Sequence, residues 1–124
     1  MKKGITKEDN MADFEYKIYK NVYDDIINGI KTTEFRLLND KSNSIKQGDK
    51  IKFKVLDDES KYIVVEVLNK YIYENIDDLW EHKEALSNNI LSYNKEEVIN
   101  AFYKIFGKET VLNSKIVGIE FKLM

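Results

Sequence analysis

The sequence predicts an α+β domain built on a small curved β-barrel with flanking helices. Three observations carry this expectation. Lys50–Leu56 alternates without a break, with Ile51, Phe53 and Val55 on one side and Lys50, Lys52 and Lys54 on the other, the period of two that a half-buried strand requires. Further strand-like runs at Lys31–Leu38, Tyr62–Tyr73 and Ile116–Leu123 are rich in Thr, Val, Ile and aromatic residues. The first three runs are separated by turns rather than helices, which favours a mixed or antiparallel sheet, and the Gly and turn spacing allows that sheet to close into a barrel.

In chain order, residues 1–12 read as a polar, loosely ordered arm and residues 13–124 as a single domain. From Phe14 to Asn28, apolar residues recur at Ile18, Tyr19, Val22, Tyr23, Ile26 and Ile27, which predicts a helix. Asn28-Gly29 supplies its stop, because glycine adopts the left-handed conformation without a steric penalty. After the Lys31–Leu38 strand, "NDKSNS" reads as a loop and "KQGDK" as a turn. "DDES" is the turn before the Tyr62–Tyr73 strand. Helices are expected over 76–86 and 95–106, the second with Asn94 as N-cap, Glu96 and Glu97 in its first turn and Gly107 as its stop. Ile116–Leu123 is the last strand.

Composition excludes several function classes. The chain has 124 residues, 43% hydrophobic and 34% charged, an ordinary globular balance for one domain. It has no cysteine, hence no disulfide and no thiolate metal site. His82 is its single histidine, which argues against a His-based metal centre or triad, and neither metal nor cofactor is expected. His82 itself reads as a surface residue and Trp80 as the anchor of its helix. The acidic group Asp77, Asp78, Glu81 and Glu84 follows no metal-loop pattern and reads as a solvated helix face. No apolar run approaches the roughly 18 residues of a membrane span, and the charged N-terminus lacks a following apolar segment. A cytoplasmic protein with no membrane partner is expected. The net charge of −2 lacks the overall basic signature of many nucleic-acid binders, although lysines at 41, 46, 50, 52, 54, 61 and 70 make one part of the chain locally basic.

The stretch "NGIKTTEFRLLND" puts three charges of both signs on one short strand. Alternation places Thr32, Glu34, Arg36 and Leu38 on one face and Lys31, Thr33, Phe35 and Leu37 on the other. On an ordinary antiparallel sheet Glu34 and Arg36 would simply face water. In the mouth of a small barrel they would hold each other and present hydrogen-bonding groups to a ligand. Lys31 sits where the chain leaves the helix, so its amine can turn toward the same mouth.

Gly29, Lys31, Thr32, Glu34, Arg36, Asn39 and Asp40, followed by Gly48 and Asp49 before a strand, resemble the signature of the ASCH domain, a member of the PUA-like superfamily. The resemblance covers about residues 14–124. It implies a small β-barrel with helices around it and a cleft beside the motif that binds RNA or a nucleotide-like small molecule. Lys31, Thr32, Glu34, Arg36, Asn39 and Asp40 would then contact the ligand, and Lys50, Lys52 and Lys54 would hold phosphate. One branch of small bacterial amidohydrolases acting on N4-acetylcytidine is also similar to this chain. Its lysine base matches Lys31, but the position of its threonine nucleophile is Glu34 here, which cannot be activated as an alkoxide is. Lys31 and Glu34 are the catalytic candidates if the chain is an enzyme, and ligand binding without hydrolysis is the leading expectation.

Overall fold

The computed structural model describes residues 12–82 and 95–124. Its strands are β1 (Phe14–Ile18), β2 (Thr33–Leu37), β3 (Lys50–Val55), β4 (Asp58–Tyr73) and β5 (Ile116–Leu123). Its helices are α1 (Lys20–Ile27), α2 (Asp40–Ser44), α3 (Ile76–Glu81), α4 (Lys95–Phe106) and α5 (Lys108–Leu112). The strands form one mixed sheet in the order β1-β3-β4-β5-β2, and it curls into a half-barrel flanked by the helices. Only β1 and β3 pair in parallel.

The curl originates in β4. Its first half pairs with β3 and its second with β5, and the register shifts between Lys54 and Val55 and between Val67 and Asn69. Such irregularities bend a strand and increase its twist, so one long strand can serve both walls. Two apolar clusters lie on opposite sides of the sheet. The barrel interior holds Phe53, Ile51, Val65, Val67, Ile119 and Phe121, closed by Ile26 of α1 and by Ile45. The outer cluster packs α3, α4 and α5 through Leu79, Val98, Phe102 and Val111 against Tyr73 and Ile116. β5 feeds both: Val117, Ile119 and Phe121 point inward and Ile116 outward. Gly118, on the outward face, leaves room for the Phe35 ring, which would lie 3.1 Å from any added Cβ.

Four elements differ from the sequence expectation. Phe14–Ile18 is a strand, and the helix begins only at Lys20. Phe14, Tyr16 and Ile18 alternate, and β3 offers an edge for pairing, so tertiary context overrides a helical spacing that is real only from Val22 onward. β4 starts at Asp58, so the turn is the two residues Leu56 and Asp57 rather than "DDES". Asn39–Ser44 is not a loop: the Asn39 side chain accepts from the Ser42 N–H, and the Ser42 side chain accepts from the Asn39 N–H, a reciprocal cap that starts α2. Beyond Gly107, at φ +90°, the chain adds the short helix α5. Helix α3 ends at Glu81. The expected continuation through 86, Glu84, the Asn94 cap and most of the N-terminal arm lie outside the described residues.

Candidate ligand-binding site

Pairing with β5 determines where the charges of β2 go. Glu34 lies opposite Ile119 and Arg36 opposite Val117, so both share the face that looks into the barrel. Phe35 and Leu37 take the other face and pack on the outer cluster. Because both faces of β2 are covered, its charges are largely withdrawn from bulk water. The Glu34 side chain is only 9% exposed. Burial of a carboxylate at that level demands partners, and two cations supply them. Arg36 Nε donates to Glu34 Oε2 at 2.7 Å, and Lys31 Nζ lies 3.3 Å from Oε1. Lys31 Nζ also donates to the Thr33 carbonyl at 2.6 Å.

Arg36 has a second task. Its Nη2 donates to the Lys17 carbonyl at 3.1 Å, across the gap between the two edge strands. Lys41 Nζ donates to the Glu15 carbonyl on the same edge of β1. The half-barrel is thus held at its seam by side chains where a ladder is missing. Both cations rest on Tyr16, with Arg36 Cζ 4.3 Å and Lys41 Nζ 4.0 Å from its ring centroid, a cation–π arrangement. Burial raises the Tyr16 pKa; Arg36 opposes that shift and Glu34 adds to it. Burial lowers the Lys41 pKa, and the nearby Arg36 lowers it further.

Beside this cluster lies a cavity of about 750 Å³, within the range of small-molecule sites. Lys31, Glu34 and Arg36 line it. Its remaining wall is mostly apolar, with Ile18 at the end of β1 and Tyr19 after it, Val22 of α1, Leu56, and Phe102, Ile105 and Phe106 of α4. Among the described residues no serine or threonine lines it.

The other predicted residues fall elsewhere. Thr32 is engaged through its carbonyl, which accepts from Phe121 N–H. Asn39 and Asp40 do not line the cavity: Asn39 caps α2, and Asp40, exposed, stands in that helix's first turn. Lys50, Lys52 and Lys54 point away from the barrel interior, because Ile51, Phe53 and Val55 occupy it. Lys54 pairs with Glu15 at 3.3 Å and Glu59 at 3.7 Å, and Lys52 sits 4.4 Å from the Tyr62 ring centroid. The lysine stripe and the cavity are therefore separate features. His82 is exposed and contacts Asp78 Oδ1 at 2.9 Å; the Asp78 carbonyl, the Asp78 charge and Glu81 raise its pKa. Among the described residues no group of three or more His, Asp and Glu side chains is placed to hold a metal ion, and no helix is long and apolar enough to cross a membrane.

Sequence reasoning missed the wall given by α4, where Glu97, Asn100, Ala101 and Lys104 face the cavity. Their spacing at i, i+3, i+4 and i+7 is visible in the sequence, but nothing local shows which way that face turns.

The fold has solved counterparts. The hypothetical protein PH0355 superposes with a TM-score of 0.71 at 21% identity, over 90% of this chain and 98% of that one. A mutant form of ZmASCH from Zymomonas mobilis gives 0.61 at 13% identity, over 87% of this chain and 67% of that one. The ASCH domain from Lactobacillus crispatus gives 0.58 at 16% identity, over 95% and 84%. The chain has the ASCH-domain fold. No protein-family model and no curated protein sequence matches it.

Proposed function

We propose that this domain binds a nucleoside- or nucleotide-like small molecule in the cavity beside Lys31, Glu34 and Arg36. One observation carries the reading: the Lys31–Glu34–Arg36 cluster, with Glu34 buried at its centre, forms a polar wall of a mostly apolar cavity. A flat heterocycle needs apolar surface for its faces and a few fixed polar groups for its edge, and this wall offers both. Spare donors remain for it. Lys31 has three N–H donors and Arg36 five, of which the contacts above use two each. The ASCH fold of the neighbours agrees with this reading. An RNA strand presenting one unstacked base would enter the same cavity.

Hydrolysis of N4-acetylcytidine is the second reading, and the described cavity wall weighs against it. The branch that performs this reaction uses a threonine, and among the described residues no threonine lines the cavity next to Lys31. The expected result of incubating the protein with N4-acetylcytidine is no cytidine by chromatography. Robust turnover abolished by Lys31→Ala would make the enzyme reading correct.

Binding is tested by titrating the four ribonucleosides and their 5′-monophosphates, with calorimetry and thermal unfolding as readouts. A ligand at a hundredfold excess over its Kd stabilises the fold by about 2.7 kcal/mol. Ala101→Trp, from an exposed position on α4 that lines the cavity, should block the site and leave the unliganded fold intact. No saturable binding by any of these compounds, or unchanged binding in the Ala101→Trp variant, would defeat the proposal.

A further inference from the structure

The position of the cavity relative to β2 has a consequence for how a ligand is read. Glu34, Phe35 and Arg36 are consecutive, and their side chains alternate between faces, yet all three line the cavity. A space touched by three consecutive strand residues lies along the strand's edge rather than over one face. The opposite wall repeats the pattern, with Lys17, Ile18 and Tyr19 at the end of β1. The cavity is therefore the open seam of the half-barrel, between its two unpaired edges.

The register shows which backbone groups face that seam. Phe121 N–H donates to Thr32 C=O, and Leu38 N–H donates to Lys115 C=O. In an antiparallel ladder the hydrogen-bonded pairs alternate, so Thr32, Glu34, Arg36 and Leu38 direct their N–H and C=O groups to β5. Thr33, Phe35 and Leu37 direct theirs to the free edge. Two of those carbonyls are already engaged: Thr33 C=O accepts from Lys31 Nζ at 2.6 Å, and Leu37 C=O accepts from Ser42 Oγ at 3.0 Å. Between them, the N–H and C=O of Phe35 have no hydrogen bond among the described residues.

We infer that the main chain of Phe35 is the recognition edge of the cavity: an adjacent donor and acceptor that read a planar ligand edge carrying the complementary pair, as the Watson–Crick edge of a nucleobase does. This rests on the nucleoside reading above and specifies how the base is held. Stacking on the apolar wall and the charge cluster would hold the ligand, and the backbone would select its edge. The geometry favours a single heterocycle over an inserted peptide strand. A strand needs a run of ladder bonds, and Lys31 and Ser42 have taken the acceptors on either side of Phe35. Lys31 and Ser42 occupy the carbonyls on either side and leave the Phe35 N–H and C=O together for a partner.

Amide hydrogen exchange of the full chain by NMR tests the inference. In the free protein, Phe35 N–H should exchange at least tenfold faster than Glu34 and Arg36 N–H, which are in the ladder. Equal protection of all three would overturn the inference without touching the function reading. Uridine, cytidine, adenosine and guanosine are then titrated. The nucleoside that binds should slow Phe35 exchange and shift its amide resonance. Its Watson–Crick-methylated counterpart (3-methyluridine, 3-methylcytidine, 1-methyladenosine or 1-methylguanosine) should bind at least tenfold more weakly. Calorimetric binding that leaves Phe35 exchange unchanged, or equal binding of the methylated form, overturns main-chain reading while the site stands. If the Phe35 amide is open and no nucleoside binds, the function reading fails, and the proposed ligand class with it.

Discussion

β2, together with Lys31 just before it, and β3 each bring three charges among apolar residues, and they use those charges in opposite ways. On β3, every charged residue alternates with a core residue, so Lys50, Lys52 and Lys54 turn outward as Ile51, Phe53 and Val55 fill the barrel. On β2, both faces are covered, one by the barrel core and one by the helical cluster. Glu34 and Arg36 face inward, and only mutual pairing makes that burial tolerable. Alternation in a sequence shows which residues share a face. It does not show which face is dry, because that depends on what the rest of the chain lays against the strand.

The largest effect that would break this contrast comes from Glu34→Ala. Removing the carboxylate leaves Lys31 and Arg36, whose side chains are 15% and 23% exposed, without their shared counter-charge. The expected loss is roughly 3–5 kcal/mol, the cost of breaking a buried pair by deleting one partner, read from denaturant midpoints. The matching deletion on β3, Lys54→Ala, should stay within about 0.5 kcal/mol, because its acidic partners are solvent-exposed. Similar losses at both positions would mean that the two strands do not differ as described.

Much of this is legible in the sequence. The parity of β2, the β3 alternation, the closing strand and the shared face of Glu34 and Arg36 follow from local pattern. Three things come out differently. Phe14–Ile18 carries both a period of two and the start of a helical spacing, and only the available edge of β3 decides between them. Asn39 reads as a ligand contact through the resemblance of its motif to the ASCH signature, but Ser42 three residues later is its capping partner. Lys50, Lys52 and Lys54 are near the motif in sequence, but alternation turns them outward, and the cavity opens between the edges of β1 and β2 instead. Where β1 pairs and where the cavity opens depend on long-range contacts; the Asn39 cap is local, and its three-residue spacing is visible in the sequence.

Tyr73 reports on the dryness of the outer face. It lies in the cluster beneath Phe35, close to Gly118, and its hydroxyl has no hydrogen-bond partner among the described residues. Burial, helped by Tyr71 and Asp78, pushes its pKa from 10.0 up to about 12. A tyrosine whose pKa is raised on folding stabilises the fold fully below its unfolded value. That contribution is lost as pH rises through the folded one. Stability should therefore fall by about 2 kcal/mol between pH 10 and 12. Tyr73→Phe should flatten that part of the profile without a large change at pH 7. An unchanged slope in the variant would show that water reaches this face.

Arg36→Lys sharpens the contrast from the other side. The substitution keeps a positive charge for Glu34 but removes the fork that reaches Lys17 C=O at the same time. A loss of roughly 1–2 kcal/mol is expected, the worth of one charge-assisted hydrogen bond. In exchange experiments the β1 amides should lose protection before those of β4 and β5. Uniform loss across the sheet would mean that Arg36 acts only as counter-charge and not as a seam clasp.

The smallest effect belongs to the outer stripe. Replacing Lys50, Lys52 and Lys54 together with glutamine removes three charges that point away from the barrel interior and do not line the cavity. Nucleoside affinity should stay within about twofold, because the Debye length near 10 Å at 0.1 M salt screens exposed charges from a separate site. Polymer binding would behave differently. If single-stranded RNA also binds and runs over this surface, its affinity falls as salt rises, with a log–log slope near −0.7 for each phosphate neutralised. The triple variant would then flatten that slope while leaving the nucleoside constant alone. Titration of a labelled oligoribonucleotide at two salt concentrations, beside the nucleoside in the same buffers, separates the surfaces. A triple variant that loses nucleoside affinity and RNA affinity in parallel would show that β3 and β2 serve one site, and the division between an inward charged strand and an outward one would fail.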